Sequence, residues 1–249
     1  MISETASGLP RRNCFSVNIS SHSVGSTVGL KHIRPYKVFT LVDTPPSERI
    51  AHFQIPPRRG AGGISMLETA LLIAIAQAVA AKRVFEFGTF LGSTTLNLAL
   101  NIAADGRIFT LDLDDRSARS LNQHPADAPL TKTHLVSRPD FEGSQVASKI
   151  TQLRGNSLEF DFSRWAGSID LVFVDGGHDL ETVTADTEAA FRLVARDRPS
   201  CVLWHDYGNA DYPELTAYLE QVAATRQLFH VEDTMLCAWF DDGIAARIT

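Results

Sequence analysis

An α/β fold built on a doubly wound, mostly parallel sheet is predicted for this chain by three observations. Short β-rich runs alternate with longer helix-like segments from residue 65 onward, the pattern of repeated strand–helix units. The run Val84-Phe85-Glu86-Phe87 stops at Gly88 and passes through Gly92 to a helix pattern opening at Ser93. Such strand–turn–helix junctions present backbone N–H groups to polar ligands in α/β proteins. The last two strand patterns, 227–232 and 235–240, are separated only by Asp233-Thr234, which makes them an antiparallel hairpin. The expectation is a seven-stranded sheet with that hairpin at one edge.

Residues 1–30 are rich in Ser, Gly and Asn without steady periodicity and are expected to be mobile. Residues 38–42 and 50–55 read as short strands separated by Pro45-Pro46, and Pro56-Pro57-Arg58-Arg59-Gly60 reads as a linker. Ser65-Met66-Leu67-Glu68 is a capping box that opens a helix to about residue 81. Strand 83–87 then precedes helix 93–104, and strand 107–113 precedes a long irregular stretch, 116–146. Residues 148–154 lead into Gly155-Asn156-Ser157. Strand 169–175 is followed by helix 179–195, and strand 200–205 by helix 212–225. The expected division is an extension over 1–60, a candidate lid or dimer arm, and a ligand-binding domain over 61–249. No internal repeat is present.

The chain has 249 residues, 44% of them hydrophobic and 21% charged, ordinary for a globular protein with a sizeable core. Its net charge of −6 argues against a nucleic acid partner, which needs a basic face. Charge is uneven: residues 1–60 hold eight Lys/Arg against three Asp/Glu, and the remainder holds 15 against 26. A basic arm on an acidic body results, either a simple tail or a segment folding over an acidic site. Cys14, Cys201 and Cys237 are too scattered for a disulfide framework or zinc knuckle. They fit a reducing cytoplasm. No signal peptide is evident, and the apolar run 70–81 is too short to span a bilayer, so no membrane partner is expected.

Ligands of open α/β sheets bind outside the carboxyl ends of the strands, and several strands here end in polar groups. Glu86 stands two residues before the first glycine of Gly88-x-x-x-Gly92. Dinucleotide sites read Gly-x-Gly-x-x-Gly instead. A carboxylate beside the turn suits a ligand carrying ammonium or sulfonium charge. Ser93 is a candidate N-cap. Asp112 ends the second of these strands, 24 residues beyond Gly88, near the distance expected of a carboxylate that receives ribose hydroxyls. Asp114 and Asp115 read as helix-capping acids. Asn156 and Ser157 are either base-contacting groups or ordinary turn residues. Asp175-Gly176-Gly177-His178 ends one strand, and Trp204-His205-Asp206-Tyr207 ends its expected neighbour. Asp175 and Asp206 can converge there on a hard divalent cation, and oxygen-rich sites suit magnesium. For His205 a ligand role and a structural role stand equal. His124, His134 and His230 default to surface or core, and Trp204 and Trp239 to packing.

The run Glu86-Phe87-Gly88-Thr89-Phe90-Leu91-Gly92 resembles motif I of class I S-adenosylmethionine-dependent methyltransferases. Residues 62–240 resemble the small-molecule O-methyltransferase branch, whose metal-dependent members act on catechols, caffeoyl-CoA and macrolide sugars. The resemblance implies a Rossmann-like fold and S-adenosylmethionine as cofactor. Glu86, Gly88, Thr89, Gly92, Ser93, Asp112, Asn156, Ser157 and Asp175 would hold it. Mg2+ or another divalent cation would sit on Asp175, Asp206 and His205, with His178 as general base beside Asp175. Tyr207 stands where catechol-type enzymes place an Asn ligand. The acceptor would be a hydroxyl of a sugar, phenol or other natural product, and a homodimer is the commonest assembly of such domains. The alternatives are an N- or C-methyltransferase, an NAD(P)-dependent oxidoreductase and a non-catalytic binding module.

Overall fold

The computed structural model describes residues 28–54, 62–121 and 123–249. Cys14, the 56–60 linker and most of the 1–30 stretch lie outside the described residues. The strands are β1 (Gly29–Ile33), β2 (Arg83–Phe87), β3 (Arg107–Asp112), β4 (Ile150–Arg154), β5 (Leu171–Val174), β6 (Cys201–Trp204), β7 (Gln227–Val231) and β8 (Cys237–Phe240). The helices are α1 (Pro35–Phe39), α2 (Met66–Ala78), α3 (Ser93–Asn101), α4 (Asp115–Ser120), α5 (Asp127–Val136), α6 (Leu180–Leu193), α7 (Pro213–Ala223) and α8 (Asp242–Ile248). One sheet runs in the order β1-β7-β8-β6-β5-β2-β3-β4.

Period-2 alternation on the central strands builds two cores. Val84, Leu171, Phe173 and Leu203 face one side, with Val38, Leu72, Leu96 and Ile244 from α1, α2, α3 and α8. Phe85, Val172, Val174 and Trp204 face the other, with Val183, Leu193 and Leu215 from α6 and α7. Trp204 is buried and donates its Nε1–H to Thr187 Oγ1 at 2.9 Å, and Trp239 packs edge-on against Phe191. Both tryptophans pack as expected. Cys201 and Cys237 are buried free thiols. Among the described residues no helix is long and apolar enough to cross a membrane.

The seven strands expected from residue 83 onward all form, and an eighth joins them. β1 pairs in parallel with β7, in the register Gly29↔Gln227 to Ile33↔Val231, so it lies outside the C-terminal pair. β8 is antiparallel to both β6 and β7. The expected strand at 38–42 is replaced by α1, because Pro35 sits at the first helical position with its φ already set. Residues 50–54 form no element. Their backbone is held by side chains of α3 instead: His52 N–H donates to Asn101 Oδ1 at 2.8 Å and Gln54 N–H to Asn97 Oδ1 at 2.9 Å. The stretch 116–146 is not irregular throughout. It contains most of α4 and all of α5, and α8 closes the described chain.

The capping box at α2 is complete. Glu68 Oε2 accepts the Ser65 N–H at 2.8 Å and Ser65 Oγ accepts the Glu68 N–H at 3.2 Å. Asp114 caps α4 by accepting the Ser117 N–H at 2.7 Å.

Candidate active site

The carboxyl ends of β2 to β6 open on one cavity of about 400 Å³, within the range of small-molecule sites. Gly88, Asp112, Asn156, Ser157, Asp175, His178, His205 and Asp206 all line it. These expected site residues, far apart in the chain, share a single space.

The turn after β2 is shaped by glycine at two points. Gly88 has φ +90°, and a Cβ there would lie 1.9 Å from the Asp175 carbonyl oxygen, so only glycine lets β2 and β5 close at this point. Gly88→Ala is expected to cost about 2–4 kcal/mol through the clash and the forced φ. Thermal unfolding measures this, and an unchanged midpoint would contradict the contact. Gly92, at φ +75°, is the N-cap of α3. Ser93, the expected cap, is instead the first helical residue. Between the glycines Phe90 also has positive φ, +44°. Its N–H donates to Asp112 Oδ2 at 2.7 Å, while Leu113 N–H donates to Asp112 Oδ1 at 2.7 Å. Each carboxylate oxygen keeps a lone pair for a further donor.

Glu86 does not line the cavity, nor do Thr89, Gly92 and Ser93. The alternation that sends Phe85 and Phe87 toward α6 turns Glu86 toward α3. There it is 1% exposed, and its Oε2 accepts from the hydroxyls of Thr95 and, at 2.5 Å, Thr110. Burial pushes its pKa up to about 8 against those two hydrogen bonds, with the Asp175 and Asp112 charges adding to the rise. Glu86 is thus a buried anchor under the loop rather than part of the cavity wall.

The rim at β5 and β6 is more charged. His205 Nδ1 lies 2.9 Å from Asp206 Oδ2 and 3.4 Å from Asp175 Oδ1. One ligand atom from each of Asp175, His205 and Asp206 falls within 4.8 Å of the others. His205 Nε2 is buried without a hydrogen bond, facing Glu68 Oε1 at 3.5 Å. His178 is held on both sides. Its Nδ1 is 2.9 Å from Asp127 Oδ1 and its Nε2 is 2.9 Å from Asp206 Oδ2. Tyr212 stacks on the ring at 4.0 Å and 10°, and its hydroxyl donates to Asp127 Oδ1 at 3.0 Å.

Charge follows from this geometry. Burial alone would lower the His178 pKa, but the hydrogen bonds and charges of Asp127 and Asp206 outweigh it and push it up to about 10. For His205 burial is outweighed by Asp175, Asp206 and Glu68, and the pKa rises to about 12. Burial would raise Asp206, yet the two imidazoles hold it far below the usual carboxylate range. Glu68 is likewise lowered to about 2, burial being overcome by His205 and the backbone N–H groups of Met235 and Ser65. A near-neutral pKa for His178, the ordinary requirement of a free general base, is not what this arrangement produces. Both ring nitrogens donate to carboxylates.

Sequence reasoning did not find Asp127, Tyr212 or Glu68 as site residues. Glu68 was visible only as a cap; its second oxygen, which accepts the Met235 N–H at 2.8 Å, faces the rim. His134, expected at surface or core, is 2% exposed and lines the cavity. Asp186 also lines it, with burial pushing its carboxyl up to about 7 despite a hydrogen bond from Ser157. Tyr207, beside Asp206, does not line the cavity; its hydroxyl reaches Glu220 at 3.5 Å.

A family model described as a methyltransferase domain matches residues 85–207, the span from β2 to just past β6. A catechol O-methyltransferase of Mycobacterium tuberculosis is 29% identical over 133 residues, 53% of this chain and 52% of that protein. The chain therefore spans about half the length of this curated relative. Among solved structures, cofactor-bound Rv0187 from MTB superposes with a TM-score of 0.50 at 21% identity, covering 82% of this chain and 87% of that one. An O-methyltransferase from Bacillus cereus in complex with SAH superposes with a TM-score of 0.50 at 16% identity, covering 72% and 83%. At these identities the two structures speak for the fold alone. Motif, sheet order and matching model agree: residues 85–207 form a methyltransferase domain, and the chain is similar to the class I S-adenosylmethionine-dependent methyltransferases.

Proposed function

We propose that this protein transfers a methyl group from S-adenosylmethionine to a hydroxyl of a small molecule, with a divalent cation on Asp175, His205 and Asp206. The observation that carries this reading is the convergence of those three ligand atoms within 4.8 Å on the rim of the cavity that also holds Asp112 and Asn156. The residues fit both groups. Asp112 keeps lone pairs for ribose hydroxyls, and the Asn156 amide nitrogen remains available, its oxygen accepting the Leu158 N–H at 3.1 Å. At the rim, Glu68, Asp127, Asp175 and Asp206 outnumber the one imidazolium, His178, that remains once His205 gives up a ring proton to ligate, which leaves excess negative charge for a cation. The two carboxylates suit magnesium or manganese, and the imidazole among the ligands shifts the set toward zinc.

When bound, the cofactor supplies an electrophilic methyl on a sulfonium sulfur, and the cation would lower the pKa of the acceptor hydroxyl. The protein's work is alignment and proton handling. Holding the reacting groups in line can contribute roughly 7–11 kcal/mol. Asp127 holds Nδ1–H of His178 in the donor state while Tyr212 covers one ring face, so the nitrogen able to exchange a proton is Nε2, on the Asp206 side. As the acceptor oxygen bonds to the methyl carbon and the carbon–sulfur bond breaks, the hydroxyl proton passes to Nε2. For His178 to take that proton, Nε2 must first lose its own to solvent water, with Asp206 staying ionised beside it. General-base help of this kind is typically about 10²–10⁴-fold.

Calorimetric titration of S-adenosylmethionine, with Mn2+, with Mg2+ and with EDTA, tests donor and metal together. Saturable 1:1 cofactor binding is expected in all three, and methylation of a catechol or sugar hydroxyl only with metal. No cofactor binding would reject the donor, and full turnover in EDTA would reject the cation.

A further inference from the structure

Helix α5 presents Asp127, Leu130, Thr131 and His134 to the cavity, the i, i+3, i+4, i+7 spacing of one helical face. Asp127, at one end, holds His178 and Tyr212. At the other end His134 holds the loop after β2. Arg154 Nη1 contacts His134 Nε2, and a guanidinium can only donate, so Nε2 carries the lone pair and the ring proton sits on Nδ1. That Nδ1–H donates to the Phe90 carbonyl oxygen at 2.7 Å. Phe90 is the left-handed residue of the loop, at φ +44°, a conformation a bulky side chain adopts only when its surroundings enforce it. Both polar groups of that residue are therefore pinned, the N–H by Asp112 and the C=O by His134.

We propose that His134 is a positioning residue for cofactor binding: through the Phe90 carbonyl it sets the loop 88–92, and through the Phe90 N–H it sets the orientation of the Asp112 carboxylate. The proposal rests on the reading that this cavity takes S-adenosylmethionine. Asp112 Oδ2 is 3.5 Å from His134 Nδ1, so loop, carboxylate and ring form one compact unit. Without the histidine donor a part-buried carbonyl loses its hydrogen bond and the loop is free to leave its strained conformation.

The test compares His134→Asn, His134→Gln and His134→Ala. The Asn amide nitrogen falls near the place of Nδ1 and can donate to Phe90, but gives up the Arg154 contact. The Gln amide reaches instead toward the place of Nε2. Calorimetry with S-adenosylhomocysteine should show the Asn variant within about threefold of wild type and the Gln and Ala variants weakened about tenfold or more. In the cofactor-free proteins, amide exchange over residues 88–92 should be fast in Gln and Ala and wild-type-like in Asn. If all three bind and exchange as wild type, or if Asn fails together with Gln, the proposal is overturned. Should Ala not fold, the Asn/Gln pair decides. Wild-type protein that binds no cofactor would reject the functional reading, and the exchange comparison would still decide the role of His134.

Discussion

Asp206→Asn should reduce methyl transfer about 100-fold or more while leaving S-adenosylmethionine affinity close to wild type. Asp206 is the shared acceptor of two imidazolium rings, His178 Nε2 and His205 Nδ1, both at 2.9 Å from its Oδ2. Its backbone has φ +63°, which asparagine tolerates better than most residues, so the substitution removes the charge without straining the turn. Two buried cations then share a neutral amide, and loss of the buried partner should cost about 3–5 kcal/mol of stability. Cofactor affinity persists because Asp112, Asn156 and Ser157 stand at the ends of β3 and β4, away from this cluster. Turnover, calorimetry and thermal unfolding measure the three effects. Wild-type turnover in the Asn variant would remove Asp206 from the chemistry.

His178→Ala is the second large effect, and its signature is in pH. Removing the ring leaves Asp127 and Asp206 without their common donor, at a cost of about 3–5 kcal/mol near neutrality, and turnover should fall by about 10²–10⁴-fold. In the folded protein His178 keeps its proton to about pH 10, whereas an unfolded histidine releases it near 6.5. Between these values the folded state binds more protons than the unfolded state. The stabilisation is thus full below about pH 6.5 and is lost as pH rises through the folded pKa. With EDTA present, wild-type stability should decline from about pH 6.5 toward 10, His205 contributing in the same direction. The Ala variant should start lower and decline less steeply. Parallel curves for the two proteins would show that the ring is not held charged.

Much of the cavity was legible because its residues are punctuated locally. Asp112, Asp175, His178, His205 and Asp206 each stand at or just beyond the end of a strand, where a change of periodicity or a glycine marks the turn. Parallel strands put such ends on one side of the sheet, so recognising the strands was enough to gather those residues. Glu86 stands on β2 where the sequence places it but does not line the cavity, because Thr95 and Thr110 take its carboxyl inward.

β1 was missed because Gly29–Ile33 has little to mark it in isolation; it is a strand because the exposed edge of β7 completes its hydrogen bonds. α5 was missed because its inward face mixes Asp127, Leu130, Thr131 and His134, with no apolar stripe to read.

What the amino-acid order determined by itself was the alternation of elements, the glycine turn after β2 and the polar strand ends that make this a methyltransferase domain, since each depends on a few neighbouring residues. Only the tertiary structure decided that Asp127 of α5 and Tyr212, just ahead of α7, would enclose His178, that Glu68 would turn from cap to rim, and that the imidazoles would be held charged. Those outcomes depend on the distance between groups remote in the chain and on their exclusion from water, and no local pattern encodes either quantity.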